Sequence, residues 1–400
     1  MVEEFKNDRL GFSYDVLLAL LTLCIPLSSA FPNVLLAPIA ILLFFKFNRR
    51  NIYLKPVLFF VLTLAFLILL AFIKWSIFSE FDFYSRIFIS LFLLVSVAHT
   101  TRLKYMERAF IMGTILAIFI AVYNIMAFEN FKFSFSAFGN TAEVNELLHI
   151  ERPYFGFLLA LVVFLCLRRK GWLHCSIAVI ASAFCLLIAA RLSLGIIVLL
   201  WAVWFFQLLK PLNKWRIPLV LGTIFLCGIA LFSNENIQKR FKIQGDLDQS
   251  MAKALDYEPR YVIWPCTFTT LGSTAEILFG VESNQQLEQR LVACYGNSIK
   301  NNDSKKTYYL DEKFNPHNQY LHILCLGGVV TLLLFLLGFG RVLSSGKVPF
   351  DLKVLTVMFL LFFMFEALLY RQLGCYLFGI FLGLLAREEN YVDAIKKASL

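Results

Sequence analysis

Twelve apolar runs dominate the sequence, and most of them are long enough to cross a lipid bilayer as an α-helix, which needs about 20 apolar residues. They cover residues 14–31, 33–48, 56–74, 83–99, 109–128, 153–168, 172–190, 192–209, 217–233, 319–340, 352–370 and 372–386. Hydrophobic residues make up 59% of the 400 residues and charged residues 16%, against about 45–50% and about 25% in soluble domains. We therefore predict an all-α polytopic membrane protein with about twelve transmembrane helices.

The distribution of Lys and Arg predicts the orientation of these helices. With the N-terminus in the cytoplasm, the cytoplasmic segments carry 21 basic residues and the short outer segments carry 6. Cytoplasmic loops of membrane proteins are enriched in Lys and Arg, so we expect both termini in the cytoplasm. The same bias accounts for the net charge of +10. We therefore expect membrane lipids, and no nucleic acid, around this chain.

One long polar segment interrupts the series and divides the chain into three parts. Residues 1–232 hold predicted helices 1–9, residues 233–318 form a large outer loop, and residues 319–400 hold predicted helices 10–12 and a cytoplasmic tail. The loop contains 10 basic and 11 acidic side chains and no Gly/Ser-rich linker. We predict a mostly helical periplasmic cap between spans 9 and 10; an unstructured loop is the alternative.

Two of the nine cysteines differ from the others. Seven lie in apolar runs, whereas Cys266 and Cys294 lie in the long polar segment. A disulfide between them would require an oxidising compartment and would stiffen the cap. Two free thiols are the alternative, because the sequence does not give the distance between the two residues.

Two arginines are candidates for binding an anion at the outer boundary of the membrane. Arg191 separates two apolar runs, and a guanidinium binds phosphate with two parallel hydrogen bonds; a snorkelling side chain at a helix end is the alternative. Arg260 lies four residues before Trp264, so both side chains share one face of a helix. The alternative for that pair is a surface cation–π contact.

Two other positions are candidates for proton transfer or for orienting a substrate. His317 comes two residues before an apolar run, and histidine exchanges protons near neutral pH; a structural role is the alternative. Glu366 lies within an apolar run, five residues before Arg371. A carboxylate in that position is a candidate for a functional site, with a structural ion pair as the alternative. His322 is predicted to be a packed helix residue.

A single acidic D-x-D pattern occurs in the long polar segment, at Asp246 and Asp248. A solvated turn is the simpler interpretation of one isolated pair. The sequence has no Walker A, GxSxG or HExxH motif, so it offers no nucleotide, serine-hydrolase or zinc-protease signature.

The order and placement of these motifs resemble the O-antigen ligase family, whose superfamily includes O-antigen polymerases and protein O-oligosaccharyltransferases. The matching residues are Arg191 with Leu192 and Ser193, Arg260 with Trp264, Leu278 to Gly280, His317 to Leu321 with Gly327 and Gly328, and Glu366 with Arg371 and Gln372. The resemblance covers roughly Arg152 to the C-terminus, and the first five apolar runs match in character only.

The resemblance implies a metal-independent glycosyltransferase without a cofactor, acting on the periplasmic face of a bacterial inner membrane. Its donor is a glycan linked to undecaprenyl diphosphate. By resemblance, Arg191 and Arg260 bind the donor diphosphate and His317 takes a proton from the acceptor hydroxyl. Supporting roles fall to Trp264, Asn318, Tyr320, Glu366 and Arg371.

The acceptor distinguishes the members of this superfamily. A lipid A–core sugar would make the chain an O-antigen ligase, which is our first expectation. Another glycan chain would make it an O-antigen or capsule polymerase with the same donor. A polysaccharide or lipid transporter is the alternative from a different class. The sugar and the oligomeric state stay open.

Overall fold

The computed structural model describes residues 9–128, 147–169, 171–209, 258–300 and 302–387, and within these ranges it is helical and contains no β-strand. The main helices are α1 (Arg9–Cys24), α2 (Phe31–Lys46), α3 (Leu58–Ile73), α4 (Phe81–Ala98), α5 (Leu103–Phe128), α6 (Arg152–Arg168), α7 (Trp172–Leu187), α8 (Arg191–Leu209), α9 (Arg260–Thr269), α10 (Thr274–Phe279), α11 (Asn284–Ser298), α12 (Asp303–Glu312), α13 (Gln319–Ser344), α14 (Phe350–Phe363) and α15 (Gln372–Ala386). Short helical turns occur at Arg49–Asn51, Ser76–Ser79 and Leu368–Tyr370.

Three helices of the described ranges, α4, α5 and α13, are long and apolar enough to cross a membrane. Shorter apolar helices accompany them, namely α2, α3, α7, α8 and α15. Together these helices indicate a membrane protein. The predicted run 217–233 and the acidic pair Asp246 and Asp248 lie outside the described residues.

Contacts divide the chain into two units, each built from separate stretches of sequence. The first comprises Met1–Leu18, Val34–Thr101 and Glu258–Leu400, and the second comprises Ala19–Asn33 and Arg102–Tyr257. The described part of the long polar segment belongs to the first unit, where it forms α9 to α12. That part is helical, as predicted.

A cluster of phenylalanines forms the core of the first unit. The Phe60 ring lies 4.9 Å from the Phe339 ring and 5.7 Å from the rings of Phe335 and Phe378, all in edge-to-face geometry. These four side chains are fully buried or nearly so. Edge-to-face pairs add to the stabilisation that apolar burial provides, so the cluster fixes α3, α13 and α15 against one another.

A buried carboxylate joins α1 to the end of α4 in the same unit. Asp15 is fully buried and accepts hydrogen bonds from the Thr100 and Thr101 hydroxyls, both at 2.6 Å, and from the Thr101 amide at 3.2 Å. A buried charge is tolerated where hydrogen bonds satisfy it. Asp15 was not among the predicted site residues, although its place inside an apolar run was visible in the sequence.

The second unit is organised around α6, whose side chains are buried on almost every face. Such a helix is apolar all round because it packs among other helices. Gly156 on α6 lies against Ser193 on α8, where an added Cβ atom would come within 2.6 Å of the Ser193 hydroxyl. The small residue therefore permits close packing of the first turns of the two helices.

Candidate functional site

Three of the predicted site residues meet in the first unit, around the carboxylate of Glu366. Glu366 Oε2 lies 3.2 Å from His317 Nδ1, and Glu366 Oε1 lies 3.4 Å from Arg260 Nη2. The Glu366 side chain is 6% exposed, whereas those of His317 and Arg260 are 28% and 26% exposed. A nearly buried carboxylate thus joins two side chains that retain access from outside.

A break between two apolar helices places Glu366 in this position. The sequence predicted one helix over 352–370, but α14 ends at Phe363 and α15 begins at Gln372, with one 3₁₀ turn at Leu368–Tyr370 between them. The prediction of a continuous helix was therefore wrong. The break allows the Glu366 carboxylate to reach a cation and an imidazole, which compensate the cost of burying its charge.

His317 precedes α13 and is held in an uncommon backbone conformation. Its φ angle is +43°, in the left-handed region that residues other than glycine seldom occupy. The Asn315 side chain accepts a hydrogen bond from the His317 amide at 2.8 Å. Strained residues of this kind cluster at functional sites, and here the conformation directs the imidazole toward Glu366.

Asn318 and Tyr320 tie the beginning of α13 to α14 and the residue after it. The Asn318 side-chain oxygen Oδ1 accepts from the Leu321 amide at 3.0 Å, which caps α13, and Asn318 Nδ2 donates to the Met364 carbonyl at 2.8 Å. The Tyr320 hydroxyl donates to the Leu360 carbonyl at 2.9 Å. Both residues support the site by fixing the position of His317 relative to Glu366.

Arg260 is the first residue of α9, and its guanidinium spans several acceptors. It donates to the Phe365 carbonyl at 2.9 Å, forms ion pairs with Glu258 and Glu366, and lies 5.5 Å from the centre of the Phe365 ring. The predicted neighbour Trp264 shares α9 with it. Within the described residues, the buried Arg260 Nε and Trp264 Nε1 have no hydrogen-bond partner.

The tautomer of His317 follows from its partner. A carboxylate only accepts hydrogen bonds, so His317 donates from Nδ1, and in the neutral imidazole Nε2 then carries the lone pair. An imidazole held in this way by a carboxylate can take a proton at Nε2 as a general base, as in serine hydrolases. The arrangement is suited to removing a proton from a hydroxyl.

The other predicted residues have no described contact with the Glu366 carboxylate. Arg191 is the exposed first residue of α8 and belongs to the second unit. Arg371 follows the 3₁₀ turn after Glu366 and places its guanidinium 5.8 Å from the centre of the Tyr370 ring. His322 is 2% exposed and contacts the rings of Phe83 and Tyr370, as expected for a packed residue.

Cys266 and Cys294, whose pairing the sequence left open, form a disulfide. It joins α9 to α11, with a Cα–Cα distance of 5.6 Å. The covalent bond lies six residues after Arg260 on the same helix, so it restrains the element that positions this guanidinium. Disulfides form in oxidising compartments, which agrees with an extracytoplasmic place for the long polar segment.

Three contributors to the site were not predicted from sequence. Glu258 pairs with Arg260, Phe365 supplies both a carbonyl and a ring to it, and the Gln319 side chain accepts from the Leu369 amide at 2.7 Å. Glu258 stands two residues before Arg260, so local spacing gave a signal. The other two contacts join residues far apart in the chain and leave no local pattern.

Comparisons with protein families and with curated proteins found no match. No protein-family model matches the chain, and no curated protein matches it at a significant level. In the described part of the chain, no group of three or more His, Cys, Asp or Glu side chains is arranged to hold a metal ion.

Proposed function

We propose that the chain is a membrane glycosyltransferase of the O-antigen ligase type, which transfers a glycan from undecaprenyl diphosphate to an acceptor hydroxyl. The observation that carries the proposal is the contact of His317 Nδ1 with Glu366, which also pairs with Arg260. A general base beside a guanidinium provides what displacement of a diphosphate requires. The resemblance of motif order supplies the substrate class.

In the proposed reaction, the acceptor hydroxyl gives its proton to His317 Nε2 while its oxygen attacks the anomeric carbon of the donor sugar. The bond between that carbon and the diphosphate oxygen breaks, and its electron pair leaves with the diphosphate. Fixed cations stabilise the developing negative charge without reorganising. We assign this role to Arg260, and the donor-binding role of Arg191 stays a prediction from the motif resemblance.

The proposed site faces the periplasm of a bacterial inner membrane. The excess of basic residues in the predicted cytoplasmic loops and the disulfide in the long polar segment support this orientation independently. The donor then arrives from the outer leaflet, and its diphosphate lies at the boundary of the membrane.

A reconstituted assay tests the activity. Purified protein is mixed with undecaprenyl diphosphate-linked glycan and with lipid A–core, and the product is measured by mass spectrometry. We expect glycosylated lipid A–core, and we expect it also after addition of a chelator. Loss of the product with chelator would contradict a metal-independent mechanism.

Deletion of the gene separates the three candidate functions. Loss of a ligase leaves lipid-linked polymer and bare lipid A–core, whereas loss of a polymerase leaves core with a single repeat unit. Loss of a transporter leaves donor on the inner leaflet. We propose the ligase because the His317–Leu321 motif and the motif order favour it.

A further inference from the structure

The loop between α3 and α4 carries two opposite charges that bind the backbone of the long polar segment. Lys74 Nζ donates to the carbonyls of Phe279 and Val281, both at 2.7 Å, and of Gly280 at 3.2 Å. Glu80 lies six residues later in the chain. Its two oxygens accept from the amides of Asn284 at 2.9 Å and Gln285 at 2.5 Å.

The signs of the two charges match the helix ends that they contact. The last carbonyls of a helix are unpaired and attract a cation, and the first amides are unpaired and attract an anion. Lys74 lies at the C-terminal end of α10, and Glu80 lies at the N-terminal end of α11. We call this pair of side chains the Lys74–Glu80 clamp.

The clamp also contacts α13 at the point where that helix is broken. Gly328, with φ +70° and ψ −176°, interrupts α13, which releases the carbonyls of the preceding turn. The Leu326 carbonyl lies 3.4 Å from Lys74 Nζ, and the Cys325 carbonyl accepts from the Val281 amide at 2.7 Å. Lys74 therefore joins the segment after α10 to the end of the first half of α13.

Two glycines make this close approach feasible. A Cβ atom on Gly328 would lie 2.1 Å from the Leu278 carbonyl oxygen, and one on Gly280 would lie 2.3 Å from the Leu326 carbonyl group. Both glycines also have positive φ angles, which glycine adopts without steric cost. The backbone of residues 278–281 thus packs directly on the broken turn.

A further ion pair joins α10 to α11. Arg290 on α11 donates to Glu276 on α10 at 2.7 Å and to the Thr270 carbonyl. This Arg290 hydrogen bond is the main reason why the pKa of Glu276 falls to about 2. The clamp therefore acts on both helices together, and on α9 through the disulfide to α11.

We propose that Lys74 and Glu80 are positioning residues that hold the first half of α13, and with it His317, in place for glycan transfer. This inference rests on the proposed function. His317 and Asn318 directly precede the half-helix Gln319–Gly327, whose last turn Lys74 binds. Neither clamp residue has a described contact with Arg260, His317 or Glu366, so both act through the helices.

The test compares Lys74→Met and Glu80→Gln with the matched variants Lys300→Met and Glu312→Gln, which alter exposed side chains of the long polar segment. Hydrogen exchange of residues 276–287 and steady-state glycan transfer are measured on each full-length protein. We expect faster exchange and about 10²-fold lower kcat in the clamp variants, with the donor KM little changed. The matched variants should behave as the wild type.

Chemical rescue separates positioning from general loss of folding. In Lys74→Ala the four carbonyl groups remain, and added ethylammonium can occupy the position of the lost ammonium group. We expect it to restore slow exchange and kcat in Lys74→Ala but not in Glu80→Gln. If Lys74→Met does not accumulate in membranes, Lys74→Ala is produced in the presence of ethylammonium. The amine is then removed, and hydrogen exchange and kcat are compared with those of the wild type in the same way.

The outcomes distinguish failure of this inference from failure of the proposed function. Unchanged exchange in the clamp variants, or faster exchange with wild-type kcat, would overturn the positioning role. If the wild type transfers no glycan while Lys74→Ala shows faster exchange that ethylammonium reverses, the clamp stands as a structural device and the proposed function fails.

Discussion

At the scale of single residues, His317 is the group on which the proposed chemistry depends. Replacement of His317 by Ala removes the proton acceptor but leaves Arg260 in place, so donor binding should persist. Loss of a general base typically lowers turnover by about 10²–10⁴-fold. Single-turnover transfer and donor binding measured on the purified variant check this, with His174→Ala as the matched control in the second unit. A wild-type rate in His317→Ala would remove the proposed base and leave the family resemblance intact.

We expect Glu366 to affect glycan transfer mainly by fixing the tautomer of His317, and less by its negative charge alone. In Glu366→Gln the side-chain amide can donate to His317 Nδ1, which favours the tautomer with its proton on Nε2, where the lone pair is required. A change of this kind in a serine-hydrolase triad costs about 10⁴-fold in kcat, and we expect a loss of about 10²-fold or more. Steady-state transfer by the purified variant is the measurement, and an unaltered kcat would show that Glu366 is only structural.

Substitution of Arg260 separates the contribution of its planar guanidinium from that of its positive charge. Arg260→Lys retains one positive charge but loses the planar group that pairs with Glu258, Glu366 and the Phe365 carbonyl at once. Since lysine cannot replace a bidentate guanidinium, we expect weaker use of the donor without complete loss of activity. Donor KM and kcat of Arg260→Lys and Arg260→Met are compared. Equal activity of the Met variant and the wild type would exclude a diphosphate contact.

The residues of the site were predictable from sequence to different degrees. The sequence indicated His317 and Arg260 as candidates because each is a polar residue in a distinctive local setting. It did not indicate that both pair with Glu366, because those contacts join positions 49 and 106 residues apart. The nearby Arg371 suggested an ion pair by spacing alone. Local patterns carry no information about such long-range pairs, which packing of separate helices decides.

At the scale of helices, the sequence predicted where the chain is apolar better than where each helix ends. The runs correspond to helices in the described ranges, but those over 319–340 and 352–370 both contain breaks, at Gly328 and after Phe363. Apolar composition continues through each break, because the surrounding residues pack in the same apolar core. Tertiary contacts, such as those of the Met364 and Leu326 carbonyls, satisfy backbone groups that the breaks release.

The disulfide between α9 and α11 should stabilise the helices that position Arg260. Its 28-residue separation corresponds to about 3–4 kcal/mol in the chain-entropy description of a cross-link. Cys266→Ser or Cys294→Ser should therefore lower the thermal midpoint of the purified protein, and a reductant should have the same effect on the wild type. Cys175→Ser, at a free cysteine, serves as control. Mass spectrometry that found both thiols free in the untreated protein would contradict the cross-link.

At the scale of the whole molecule, orientation in the membrane decides whether the proposed chemistry can occur. Undecaprenyl diphosphate-linked glycans are presented on the periplasmic face, so His317, Arg260 and Glu366 must face that side. The 21 basic residues of the predicted cytoplasmic segments, against 6 in the short outer ones, predict this orientation because positive loops are retained in the cytoplasm. The disulfide of the long polar segment leads to the same expectation by an independent route.

Fusions of alkaline phosphatase test the orientation directly, because the enzyme is active only after export from the cytoplasm. We expect high activity for a fusion near Asn284, in the long polar segment, and background activity for a fusion at Leu400. Green fluorescent protein at the same positions should give the opposite pattern, which controls for expression. Phosphatase activity at Leu400 with none at Asn284 would place His317 and Arg260 in the cytoplasm. It would thereby exclude both the donor and the mechanism proposed for them, even if the fold were unchanged.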